Sequence, residues 1–136
     1  MAESEHTDGC PCGAVRYAVG GAPLWVAHCH CRSCRRASGA AVLTFAGYRD
    51  HQFRLTQGAP RRYTSSPGVT RSFCGRCGTP LTYQAERCPG EVHLTISSLD
   101  RPDQFPPTVH VFTAERIPWL ELADDLPRHP GLGRTE

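Results

Sequence analysis

The 136-residue chain is 39% apolar, carries 13 Gly and 12 Pro, and has a formal charge of +2 with histidine neutral. That length suits one domain with one modest core, and the Gly and Pro content favours short strands and turns over long helices. So small a charge excludes a broad basic surface for nucleic acid, and no stretch approaches the roughly 18 apolar residues of a membrane span.

Met1 to Gly9 is polar, has no apolar signal-type segment and reads as a frayed tail. The cytoplasm is the default location. Thiols stay reduced there, so the eight cysteines read as ligands rather than disulfides. Cys10-Pro11-Cys12-Gly13 is a C-x-C turn. In residues 14–19, Val15, Tyr17 and Val19 alternate with Arg16 and Ala18, the pattern of a half-buried strand. Residues 24–28 form a second strand leading into Cys29-His30-Cys31-Arg32-Ser33-Cys34, and 31–38 read as a short helical turn closed by Gly39. Residues 40–47 are an apolar strand. Phe53 and Leu55 alternate through 51–57, and 61–65 are expected to pair back as a hairpin. Residues 69–73 enter Cys74-Gly75-Arg76-Cys77-Gly78, a knuckle of zinc-ribbon type, and 81–83 continue as a strand. In 91–96, Val92, Leu94 and Ile96 share a face and His93 takes the solvated one. A proline-punctuated loop follows over 99–107, and 108–112 form a last strand with His110 opposite Val109 and Val111. Residues 117–120 are a helical turn with Trp119 as a core anchor. The implied boundaries are a tail over 1–8, a domain over 9–127 and a tail over 128–136. About eight or nine short strands and no long helix predict a mainly β domain.

Seven cysteines fall into three clusters, 10/12, 29/31/34 and 74/77, and Cys88 stands apart. Near neighbours gain little from disulfides, whereas one tight turn aims several sulfurs at one metal ion. Zn²⁺ takes four tetrahedral ligands, with thiolate at about 2.3 Å. The simplest partition is a closed site of Cys10, Cys12, Cys74 and Cys77, with a separate triplet of Cys29, Cys31 and Cys34. The closed site would tie the chain start to its middle, as a structural metal does in a small domain. Filled by another side chain, the triplet's fourth position makes a structural site; filled by water or substrate, it makes a reactive one. Cys88 is the rival fourth ligand. His30, between two ligands, points away from the metal, and His28 packs. His110 has a structural or a pocket role. Arg35 and Arg36 follow a metal thiolate, where positive charge stabilises it and can grip a carboxylate.

Taken together, these residues resemble the GFA family, named for the glutathione-dependent formaldehyde-activating enzyme and also called the centromere protein V family. The resemblance runs through Cys10-Pro-Cys-Gly-Ala-Val-Arg-Tyr17 and Cys29-His-Cys-Arg-Ser-Cys-Arg-Arg-Ala-Ser-Gly39. It continues through Arg71-Ser-Phe-Cys-Gly-Arg-Cys-Gly-Thr-Pro-Leu81, Ser98-Leu-Asp100, His110 and Pro118-Trp119. It implies a Mss4-like β fold with two Zn²⁺ per chain, a structural site of the C-x-C and C-x-x-C pairs, and a catalytic triplet. It also implies carbon–sulfur lyase chemistry, with glutathione or a similar thiol as co-substrate and S-hydroxymethylglutathione formation as the name-giving reaction. Cys88 matches no position of the family pattern.

Three functions compete at this point. One is an enzyme acting on a small-molecule thiol and a carbonyl, with Arg35, Arg36 and His110 as candidate substrate contacts. The second is a zinc-stabilised binding module of the same fold, and the third is a thiol-based redox or metal sensor. An open triplet beside a pocket favours the first; a triplet closed by Cys88 or a histidine favours the second.

Overall fold

Short alternating segments pair into two sheets in the computed structural model, which describes residues 4–133. The strands are β1 (Glu5–Gly9), β2 (Arg16–Gly20), β3 (Trp25–Cys29), β4 (Leu43–Arg49), β5 (Phe53–Gln57), β6 (Arg61–Ser66), β7 (Val69–Phe73), β8 (Pro80–Ala85), β9 (Glu91–Thr95) and β10 (Val109–Val111), with one helix, α1 (Arg32–Ser38). The mainly β expectation holds. The smaller sheet runs β1-β2-β5 and the larger runs β10-β3-β4-β9-β8-β7-β6. All these pairings are antiparallel except β10 with β3. No helix among the described residues is long and apolar enough to cross a membrane.

Period-two alternation gives the larger sheet two different faces. Val26, Ala46, Tyr48, Val92 and Leu94 point to one side and pack with Tyr17 and Val19 of the smaller sheet into the main core. Phe45, Leu43, Cys29 and Tyr83 point to the other side, where Trp25 and Val111 join them in a second cluster. This second face carries the site.

Five local expectations differ from the structure. Glu5–Gly9, read as tail, is a strand paired along its length with β2. Its order comes from the backbone ladder and from buried Asp8, which accepts from His6 and from the Asp100 N–H, so no apolar alternation advertised it. Residues 61–66 do not fold back on β5. β5 crosses to β2 and β6 pairs with β7. His93 is 5% exposed rather than solvated, because the face opposite Val92 and Leu94 is covered as well. Trp119 is 75% exposed and anchors no core; its turn is held instead by Arg116, which donates to the carbonyls of Ile117, Pro118 and Leu120. Residues 128–133, assigned to a tail, bond back to 110–114, with His129 donating to the His110 carbonyl and Gly131 accepting from Phe112. The expectations for residues 1–3 and 134–136 lie outside the described residues.

Candidate metal centres

The first centre joins the two knuckles. Both turns use one backbone pattern: Gly13 donates to the Cys10 carbonyl and Gly78 to the Cys74 carbonyl. Gly13 and Gly78 sit at φ 81° and 84°, a left-handed conformation that glycine adopts without strain. Further backbone N–H groups aim at sulfur, Val15 at Cys10 and both Arg76 and Cys77 at Cys74, over 3.3–3.4 Å. The four Sγ atoms of Cys10, Cys12, Cys74 and Cys77 lie within 4.8 Å of one another. Cys10 to Cys12 is 3.5 Å and Cys12 to Cys74 is 3.7 Å. A tetrahedron with bonds of about 2.3 Å puts sulfurs about 3.8 Å apart, so the set fits one Zn²⁺-sized ion. Thr79 holds the exposed Cys77 thiol down at about 6 by hydrogen bonding from its hydroxyl and its N–H.

The second centre lies on the other face of the larger sheet. Cys29 ends β3, Cys31 caps α1 with extended backbone, and Cys34 sits in the first helical turn. The Cys34 N–H donates to Cys31 Sγ over 3.2 Å, a cap made by sulfur. Cys34 Sγ is 3.6 Å from Cys29 and 3.1 Å from Cys31. Hydrogen bonds from Cys29 and Cys34 push the Cys31 thiol well down, while bonds with Cys31 and Cys34, together with burial, push Cys29 up. Three sulfurs this close together suit a shared cation. Arg71 of β7 supplies fixed positive charge: it is 5% exposed and its Nη2 lies 3.5 Å from Cys34 Sγ. Ser33 and Ser65 accept from the same guanidinium, which stacks 4.8 Å from the Tyr83 ring centre.

Two hollows meet at this triplet. A cavity of about 170 Å³ is walled by Trp25, Phe45, Tyr83, Val111 and Phe112, with Cys29, Cys31 and Cys34 at one side. A groove of about 490 Å³ lies past Cys31 and is edged by Ser33, Arg71, Glu86 and Arg87. Arg87 borders both, donating to the Tyr83 hydroxyl over 3.0 Å and lying 5.1 Å from the Phe112 ring.

The family model described as "Glutathione-dependent formaldehyde-activating enzyme" (GFA) matches residues 5–115. The chain belongs to the GFA family. The match begins at β1, so the first strand is part of the GFA domain. Among solved structures, the chain is similar to a crystal structure of a Rhodobacter sphaeroides protein from the Northeast Structural Genomics effort. The TM-score is 0.61 at 23% identity, covering 90% of this chain and 99% of that one. That likeness supports the fold.

Within this GFA domain the sequence-derived candidates separate. The closed four-cysteine group and the triplet both assemble and both could hold a metal ion. Cys88 reaches the cavity wall, but its sulfur groups with Glu91 and His93 rather than with the triplet. His93 is 2.9 Å from Glu91 and stacks on Tyr83. Arg35 spends its guanidinium on the carbonyls of His30 and Glu115, and exposed Arg36 lines neither hollow. His30 points away from the thiols, as expected, and bonds to His110, which faces away from the cavity. Sequence reasoning missed Arg71, Tyr83 and Arg87. Arg71 lies inside a quoted motif, and an arginine amid a strand that runs into a knuckle is the one signal that pointed to it.

Proposed function

We propose that the chain is a zinc-dependent carbon–sulfur lyase-type enzyme acting on the adduct of a small thiol and a carbonyl compound. Reversible addition of glutathione to formaldehyde, giving S-hydroxymethylglutathione, is the reference reaction. The observation that carries this reading is the open side of the triplet. Three thiols converge at the cavity, and among the described residues no fourth Cys, His, Asp or Glu donor joins them. Zn²⁺ held there would supply a position for a substrate sulfur and favour its thiolate form. Cys10, Cys12, Cys74 and Cys77 would hold a second, structural Zn²⁺.

The remaining tasks fall to the chain's own residues. A fourth thiolate beside three others needs compensating charge, and Arg71 lies against Cys34 to provide it. Arg71 and Arg87 edge the polar groove and suit the carboxylates of a glutathione-like thiol. The aromatic wall of Trp25, Phe45, Tyr83 and Phe112 would shield the carbonyl carbon from water. The substrate thiolate adds to that carbon, the C=O electron pair moves to oxygen, and the oxygen takes the equivalent of the proton that the thiol released on becoming thiolate. Cleavage runs the same contacts backwards. The reading needs reduced thiols, in keeping with a cytoplasmic setting, and involves no nucleic acid or membrane.

The test is cobalt substitution followed by glutathione titration. The thiolate–Co²⁺ spectrum should change as glutathione binds, and Cys31→Ser should abolish that change. A spectrum indifferent to every common cellular thiol would remove the mechanism and leave a zinc-stabilised binding module.

A further inference from the structure

Strand β3 does two things at once. Alternation sends Cys29 to the cavity face and its neighbours His28 and His30 away from it. Beside β3, β10 runs parallel with His110 level with His28. The two imidazoles therefore lie side by side, with ring centres 4.8 Å apart. The segment after the exposed Trp119 turn brings Asp124 to the same point, with its carboxylate 2.9 Å from His110 Nε2. Donor atoms of His28, His110 and Asp124 all lie within 4.8 Å of one another.

Each donor is oriented from behind. His28 Nδ1 is 2.7 Å from the Thr44 hydroxyl, which leaves Nε2 for another partner. His110 Nδ1 is 2.9 Å from His30 Nε2, and His110 and His30 are 1% and 2% exposed. The Leu126 N–H and Arg128 Nη1 hold the Asp124 carboxylate over 3.0 and 3.2 Å. Imidazole ligands of metals are fixed in this way through their second nitrogen. The parallel ladder would set the two rings side by side in a mere His110–Asp124 staple as well; what a staple does not require is a third donor atom within 4.8 Å of both partners. Beside the cluster lies a groove of about 520 Å³ edged by His110, Glu121 and Arg128, which gives room for water or a small ligand.

We infer that His28, His110 and Asp124 form a further metal site, separate from the thiolate centres, that takes a divalent first-row transition ion through two imidazoles and one carboxylate. Two nitrogens and an oxygen with open positions suit Fe²⁺, Co²⁺ or Zn²⁺, the last of which thiolates also take, rather than Cu⁺, which prefers thiolate and thioether ligands. The site stands on the back of the strand that ends in Cys29, so occupancy would stiffen β3 and β10 behind the triplet.

The experiment titrates Co²⁺ into the full-length protein as purified, with its thiolate centres filled. One additional equivalent should bind, giving weak visible bands without the intense near-ultraviolet absorption of sulfur bound to cobalt. His28→Gln and Asp124→Asn should each weaken that equivalent at least about tenfold, and Thr44→Val about tenfold through loss of orientation. Thiolate-bound metal and circular dichroism should stay unchanged, which separates site loss from unfolding. If Asp124→Asn fails to fold, half-buried His28 and Thr44 still carry the test. No additional equivalent, or an equivalent unmoved by both His28→Gln and Thr44→Val, would overturn the site and leave a hydrogen-bonded staple.

Discussion

Arg71 brings a buried positive charge against the cysteine triplet from a distant strand. Its guanidinium is buried and touches a thiol, two hydroxyls and an aromatic face. Arg35 and Arg36 adjoin the same cysteine in sequence, yet α1 directs Arg35 to backbone carbonyls and leaves Arg36 in solvent. Nearness in sequence promised charge at the triplet; distance in sequence supplied it. Replacing Arg71 by Ala should therefore weaken glutathione binding by about 1.5–3 kcal/mol, the value of a charge-assisted hydrogen bond. Arg71→Lys should recover part of that, since lysine keeps the charge and loses the planar fork. Arg36→Ala should leave binding unchanged. Calorimetry on folded, metal-loaded variants checks this, and equal affinity in Arg71→Ala and the parent would take Arg71 out of the site.

At the scale of elements, the site face is one lateral row across the larger sheet. Register sets Arg71 opposite Tyr83, Tyr83 opposite His93, His93 opposite Gly47, and Gly47 opposite Trp25. Gly47 is the gap that lets the row close: the Trp25 ring lies across it and meets His93 edge-on at 4.5 Å. A Cβ at position 47 would fall 2.3 Å from the indole. Gly47→Ala should thus displace Trp25, cost about 1–3 kcal/mol as overpacking does, and reshape the cavity. Denaturant unfolding reads the loss, and fluorescence in a Trp119→Phe background isolates Trp25. An unchanged emission and midpoint would show the row to be slack. None of this row was legible in the sequence, because alternation assigns faces only within a strand and says nothing of which strands adjoin. The expected β5–β6 hairpin failed for the same reason. A Cβ on Gly58 would touch the Ala14 carbonyl at 2.1 Å, so the chain after β5 passes hard against the first knuckle before it crosses to the larger sheet. Trp119 misled differently: large apolar residues are often buried, but their size does not require it.

Across the whole molecule, the legible part was the cysteine spacing, since ligand geometry is local and a C-x-C or C-x-x-C turn leaves few alternatives. The two thiol centres nevertheless sit in unlike places. The four-cysteine centre brings the loop after β1 to the loop after β7, with Cys12 beside Cys74 across 62 positions, so an ion held there would fix the smaller sheet on the larger. The triplet lies within a single stretch from β3 into α1 and ties no distant segments together. Metal bound at the first centre would close a long loop and contribute directly to folding, on the order of 10 kcal/mol in small zinc peptides. At the second it would order only a turn that β3 and the helix already define. Cys12→Ser or Cys77→Ser should accordingly give insoluble or protease-sensitive chain. Cys31→Ser should stay folded and lose about one metal ion per chain, because the main core of Tyr17, Tyr48, Leu81 and Leu94 does not include it. Limited proteolysis alongside metal analysis separates the two classes. Equal damage from both would mean that the triplet also carries the fold, and would undo the division of labour between the centres.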